Sequence, residues 1–175
     1  MMDRTKICHP FPPVFDMYAR VLILGSLPSV QSRQQAFYYG NPRNRFWKVL
    51  AGLTGEEIPQ TVSDKQNFLL RHRIALWDVI RQCEIHGSSD ASIRYPEGND
   101  LRPLLEQTQI HTIFTNGATA YRLYQKLCFK QTGKEAVLLP STSPANAAFS
   151  LEQLIAAWRP VHDSLLDICT ADPIY

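Results

Sequence analysis

The segment Phe37-Tyr38-Tyr39-Gly40-Asn41-Pro42-Arg43-Asn44-Arg45-Phe46-Trp47 concentrates side chains that handle nucleotides. Aromatic faces stack on bases, and guanidinium forks pair with phosphates. An Asn amide carries both a donor and an acceptor. Phe46 and Trp47 read as core residues, whereas Tyr38 and Tyr39 beside Gly40 read equally well as the wall of a pocket. A second segment, Pro140-Ser141-Thr142-Ser143-Pro144-Ala145-Asn146, sets three hydroxyls just ahead of a helix. Hydroxyls and backbone N–H groups in that setting suit a phosphate; a plain Ser/Pro turn is the alternative. A third, Gly25-Ser26-Leu27-Pro28-Ser29, follows an apolar run. It lacks the G-x-x-x-x-G-K of a P-loop and the G-x-S-x-G of a nucleophile elbow, so both chemistries are excluded there.

Charge follows the same segments. No Asp or Glu lies between Asp16 and Glu56, a stretch holding Arg20, Arg33, Arg43, Arg45 and Lys48. A second acid-free stretch runs from Ala136 to Leu151. A surface facing phosphates excludes carboxylates, which would repel the ligand; chance clustering is the competing explanation. The net charge of +2 is by itself too small to argue for a nucleic acid.

These segments need a scaffold, and the hydrophobic pattern supplies one. Arg20 to Gly25 reads as a short buried parallel strand, and Ile74 to Trp77, Ile110 to Thr115 and Ala136 to Leu139 as three further strands. Helices are predicted between them: Asn44 to Leu53 with Gly55 as its stop, one opened by a capping box at Ser63 to Gln66, one starting at Asp100, and one after Gly117. A last one follows the capping box of Ser150 and Gln153, with Leu151, Leu154, Ile155 and Trp158 on one face. Such alternation predicts an α/β fold, a three-layer sandwich with a short central four-stranded parallel sheet and helices on both faces. Ligands of such sheets bind beyond the carboxyl ends of the strands, so the loops after Leu24, Trp77, Thr115 and Leu139 matter most.

The 175 residues fit a single domain, 1–175, and 45% hydrophobic content is that of an ordinary globular chain. No run is long and apolar enough for a membrane span, and the N-terminus lacks the apolar region of a secretory signal; a cytoplasmic protein is expected. Cys8, Cys83, Cys128 and Cys169 are scattered, which argues against a disulfide framework and against an iron–sulfur cluster. The five histidines are equally dispersed, so no metal and no cofactor is expected.

Taken together, Phe11-Pro12-Pro13-Val14, Gly25 to Ser29, Pro42-Arg43-Asn44 with Phe46-Trp47, Trp77-Asp78-Val79 and Ser141 to Asn146 resemble the uracil-DNA glycosylase superfamily, and within it the hypoxanthine-DNA glycosylase branch. The similarity spans nearly the whole chain. Other branches place Asp, Asn or Glu third in the first motif, to position the attacking water. Here that residue is Leu27, as in the hypoxanthine branch, whose catalytic Asn falls on Asn44. The chain departs from many members in having Gly40-Asn41 where they carry Ala-His.

The resemblance implies a monofunctional base-excision repair enzyme that flips a deaminated base, most simply hypoxanthine, out of DNA and leaves an abasic site. It implies a base pocket of Gly25, Ser26, Leu27, Tyr39 and Asp78, and phosphate contacts from Arg43, Arg45, Ser141, Thr142, Ser143, Pro144 and Asn146. Asp78 would accept from N1–H of hypoxanthine and repel N1 of adenine; a helix N-cap is its other reading. A monomer acting on DNA is expected. A uracil- or mismatch-preferring glycosylase is the nearest alternative, and a noncatalytic DNA- or nucleotide-binding module on the same fold is the alternative from another class.

Overall fold

The computed structural model describes residues 3–166. In chain order its elements are β1 (Thr5–Cys8), β2 (Val21–Gly25), α1 (Val30–Gln35), α2 (Phe46–Thr54), α3 (Val62–Arg71), β3 (Ile74–Asp78) and β4 (Ile80–Ile85). A 3-10 turn, η1 (Asp90–Ser92), leads to β5 (Arg94–Gly98), α4 (Arg102–Glu106), β6 (Thr112–Asn116), α5 (Ala118–Leu127) and α6 (Phe129–Thr132). β7 (Ala136–Leu139), α7 (Leu151–Ala157) and α8 (Arg159–Leu166) complete it.

The four expected strands form one parallel sheet in the order β3-β2-β6-β7. Successive β2 side chains point to opposite faces, and every one is buried. Val21 and Ile23 meet Phe46, Leu50, Phe68, Leu69, Leu154 and Trp158 from α2, α3, α7 and the α7–α8 junction. Leu22 and Leu24 meet Leu104, Leu123 and Tyr124 from α4 and α5, with Ile80, Cys83 and Ile85 from β4. Both faces are therefore covered, which is why β2 reads as an unbroken apolar run.

A second, antiparallel sheet, β1-β4-β5, departs from the expected strand–helix alternation. Its strands carry no apolar run: β1 is largely exposed, β5 reads Arg-Tyr-Pro-Glu-Gly, and β4 buries only Ile80, Cys83 and Ile85. Smaller corrections have local causes. The capping box of α3 is Thr61 with Asp64, two residues before the expected one, because both ends of the reciprocal pair are present there. α1 was not foreseen; it is six residues long and buries one side chain, Ser32. The last helix is interrupted at Trp158, where Pro160 withholds an N–H. Gly55 ends α2 in the left-handed conformation as expected, and Phe46 and Trp47 are core residues. Cys8, Cys83 and Cys128 are free thiols, and Cys169 lies outside the described residues. Among the described residues no helix is long and apolar enough to cross a membrane.

Candidate functional site

Beyond the carboxyl ends of β2, β3 and β6 lies a cleft of about 430 Å³. It gathers Gly25, Ser26 and Leu27 after β2, Asp78 at the end of β3, Asn116 at the end of β6, Tyr39 and Asn44 from the aromatic segment, and Ser141 to Ala145. Residues far apart in sequence thus converge at the position that the sheet topology reserves for ligands.

The first loop is held beside β3. Val79 N donates to the Gly25 carbonyl at 2.8 Å and Ile80 N to the Ser26 carbonyl at 3.1 Å. The buried Asn99 braces the same corner, donating to the Asp78 carbonyl at 2.8 Å. Gly25 is required by close approach: a Cβ there would stand 2.4 Å from Asp78 Oδ1 and 3.1 Å from the Tyr39 hydroxyl. Leu27 contributes an apolar wall and packs against the second core.

Asp78 is buried, and β4 rather than a helix follows it, which removes the capping alternative. Its Oδ2 lies 2.7 Å from His9 Nε2, while His9 Nδ1 donates to the Phe11 carbonyl at 2.8 Å. Both side chains are nearly sealed from solvent, at 4% and 5% exposure.

The Asn44 side chain is fixed by two partners. Its Oδ1 accepts from Phe46 N at 3.0 Å and from the Thr142 hydroxyl at 2.8 Å. The Thr142 hydroxyl in turn accepts from Asn116 Nδ2 at 2.9 Å, and Thr142 N donates to Asn116 Oδ1 at 3.0 Å. Asn116 Nδ2 also donates to the Tyr39 hydroxyl at 3.0 Å. A backbone N–H can only donate, so Oδ1 must face Phe46 and the amide nitrogen remains for the cleft. Asn44 is therefore presented as a hydrogen-bond donor. The Tyr39 ring stacks on Phe46 at 3.9 Å and 17°, so a ligand can meet only its other face or its edge. Burial, reinforced by the charge of Asp78, pushes the phenols of Tyr38 and Tyr39 far above their ordinary value.

Three of the expected phosphate contacts have side chains engaged by the protein itself. Thr142 is fully buried and its hydroxyl is committed to Asn44 and Asn116, so it positions the amides. The Arg45 guanidinium donates to the carbonyls of Ser143, at 3.0 Å, of Asn146, at 2.8 Å, and of Phe149. It clamps the Ser141 to Ser150 loop onto the start of α2. The Asn146 amide is likewise turned inward, donating to the Ser141 carbonyl at 2.9 Å. Ser141, Ser143 and Pro144 do line the cleft, and Arg43 is exposed beside it. Tyr38, read as equally suited to pocket or core, is 2% exposed and hydrogen-bonds Pro12.

Three residues escaped the sequence. Asn116 had a signal, since it ends a strand whose loop was expected to matter. His9 and Asp90 had none, because neither lies on a periodic element or in a motif. Asp90, on η1, accepts from the Ser26 hydroxyl at 3.0 Å and lines the cleft. The residue keeps solvent contact, yet the cleft walls around its carboxyl strip enough water to push its pKa upward, against the Ser26 hydrogen bond. The acid-free loops thus meet two carboxylates brought by other elements, while no Lys or Arg is among the cleft-lining residues.

The description "Uracil DNA glycosylase superfamily" fits residues 12–161 of this chain. A hypoxanthine DNA glycosylase of Methanosarcina acetivorans is 40% identical over 142 residues, covering 80% of this chain and 89% of the relative. One of Methanosarcina barkeri is 33% identical over 150 residues, covering 85% and 93%. The solution NMR structure of a Methanosarcina acetivorans protein, described as a candidate uracil DNA glycosylase, superposes with a TM-score of 0.76 at 37% identity, covering 89% of this chain and 96% of that one.

Proposed function

The chain belongs to the uracil DNA glycosylase superfamily, and we propose that it removes hypoxanthine from DNA by hydrolysing the bond between N9 of the base and C1′ of the sugar. The observation that carries this reading is the pairing, in one cleft, of a fixed acceptor and a fixed donor. Asp78 has one carboxylate oxygen, Oδ1, free of His9, and Asn44 has its amide nitrogen free of Thr142 and Phe46. Hypoxanthine offers N1–H to the first, whereas adenine offers a lone pair. A base can enter such a cleft only when flipped from the helix.

Cleavage sends the C1′–N9 electron pair to the purine and leaves an oxocarbenium-like sugar. Water then bonds to C1′ and loses a proton, and the purine ends protonated. Asn44 Nδ2 can donate to the departing base, where negative charge grows, but it cannot take a proton from water. Its contribution is electrostatic and positional. No lysine is among the cleft-lining residues described, so no Schiff base with the sugar is expected.

The test is release of free base from inosine- and uracil-containing duplexes, read by mass spectrometry. Hypoxanthine release with an unnicked abasic strand is expected. Uracil release alone would reassign the substrate, and binding without release would make the protein a damage-sensing module. A covalent adduct trapped by borohydride would contradict the hydrolytic mechanism.

A further inference from the structure

The His9–Asp78 contact admits few arrangements of protons. The Phe11 carbonyl can only accept, so its 2.8 Å contact requires a proton on His9 Nδ1. Nε2 faces Asp78 Oδ2 at 2.7 Å, and that approach needs one further proton between the two atoms. The proton sits either on Nε2, giving imidazolium and carboxylate, or on Oδ2, giving neutral imidazole and carboxylic acid. Both arrangements leave the cleft-facing Oδ1 without a proton, and both leave the pair with no net charge.

We propose that His9 is a positioning and specificity-determining residue that keeps Asp78 Oδ1 an acceptor and cancels the Asp78 charge beside the leaving base. The proposal rests on the reading of Asp78 as the group that meets the base. Two consequences make His9 necessary. A buried carboxyl without this partner can take its proton on Oδ1 and become a donor, which would welcome N1 of adenine. An unneutralised carboxylate would also oppose the negative charge that builds on the departing purine.

The other titratable groups around the pair do not supply this proton. Tyr38, whose ring centroid is 6.1 Å from that of His9, and Tyr39 both have phenols held protonated by burial and by Asp78 itself. Asp90 approaches from η1 as a second acid. The Arg81 carbonyl of β4 accepts from the backbone N–H of His9, but the Arg81 guanidinium is turned to Glu97.

The experiment compares the wild type with His9→Gln and His9→Leu. Single-turnover rates on inosine- and adenine-containing duplexes are measured, with a thermal melt of each protein. A Gln amide can still donate to Oδ2 but carries no charge. His9→Gln should hold the hypoxanthine-to-adenine ratio within a few-fold and lower the rate on both, because the Asp78 charge is no longer cancelled. His9→Leu should lower the ratio by about 10-fold or more, the worth of one buried hydrogen bond. ¹⁵N NMR of the wild-type imidazole should show Nδ1 protonated, with an Nε2 signal displaced by Asp78→Asn. If His9→Leu does not fold, the His9→Gln ratio and rate and the NMR signals decide. A folded His9→Leu with wild-type ratio and rate, or an unprotonated Nδ1, would overturn the inference and leave the glycosylase reading standing. A wild-type protein that releases no base would overturn both.

Discussion

At the scale of single residues, the orientation of Asn44 decides what it can do. Its oxygen caps the start of α2 and takes the Thr142 hydroxyl, so only its N–H groups remain for chemistry. Asn44→Asp is the informative change, because the carboxylate keeps those acceptor roles and deletes the donor. We expect its single-turnover rate to fall by about 10²- to 10³-fold, the usual loss for a donor aimed at developing charge, with DNA affinity nearly intact. A rate that holds or rises would make residue 44 a base that activates water. Asp78→Asn should lower activity on hypoxanthine by about 10- to 100-fold and relax discrimination against adenine, because an amide can turn its donor outward. An unchanged ratio of kcat/KM on inosine- and adenine-containing duplexes, with an unchanged melt, would remove Asp78 from base recognition.

At the scale of elements, the loop between β7 and α7 depends on a guanidinium anchored one residue before α2. Arg45→Ala strands three carbonyls without donors. Hydrogen bonds to a charged group are worth about 1.5–3 kcal/mol each, and partial rescue by water should leave a net loss of about 2–3 kcal/mol. For a chain of this size that is a fall in Tm of about 5–10 °C. Arg45→Lys should recover less than half, because a point charge cannot reach three carbonyls in a fork. Unchanged melting with a weaker dependence of DNA binding on salt would return Arg45 to the phosphates. Arg43 gives the opposite signature. Its side chain is exposed, so Arg43→Ala should leave Tm alone and lower the slope of log affinity against log salt by about one.

At the scale of the whole molecule, charge is nearly balanced, and the cleft carries acids while the candidate phosphate contact sits on its rim. That arrangement costs stability in a pH-dependent way. Burial raises the Asp90 carboxyl above its ordinary 3.8, so the folded protein holds that proton more tightly than the unfolded chain does. Its stabilising contribution is therefore complete below about pH 4 and is lost as pH rises through the raised folded value. Asp90→Asn keeps an oxygen for the Ser26 hydroxyl and removes the titration. Its melting temperature should match the wild type in acid and move above it towards neutral pH. The gain should be small, since Asp90 retains solvent contact. A constant difference across the pH range would dissociate Asp90 from this effect.

The parallel sheet was legible because strands buried on both faces must be apolar at every position, as Val21 to Leu24 are. Helix ends were legible where the capping chemistry is local, as at Gly55 and at Ser150 with Gln153. The loops that build the cleft followed from the topology of the strands. What sequence could not carry was anything set by contact between distant segments. The sheet β1-β4-β5 has no apolar signature, and the direction of the Asn44 amide depends on a hydroxyl 98 residues away. Arg45 has the composition of a phosphate ligand and the geometry of a clamp, because a guanidinium serves carbonyls as readily as phosphates. His9 reaches Asp78 across 69 residues, and only the folded chain brings the shared proton between them.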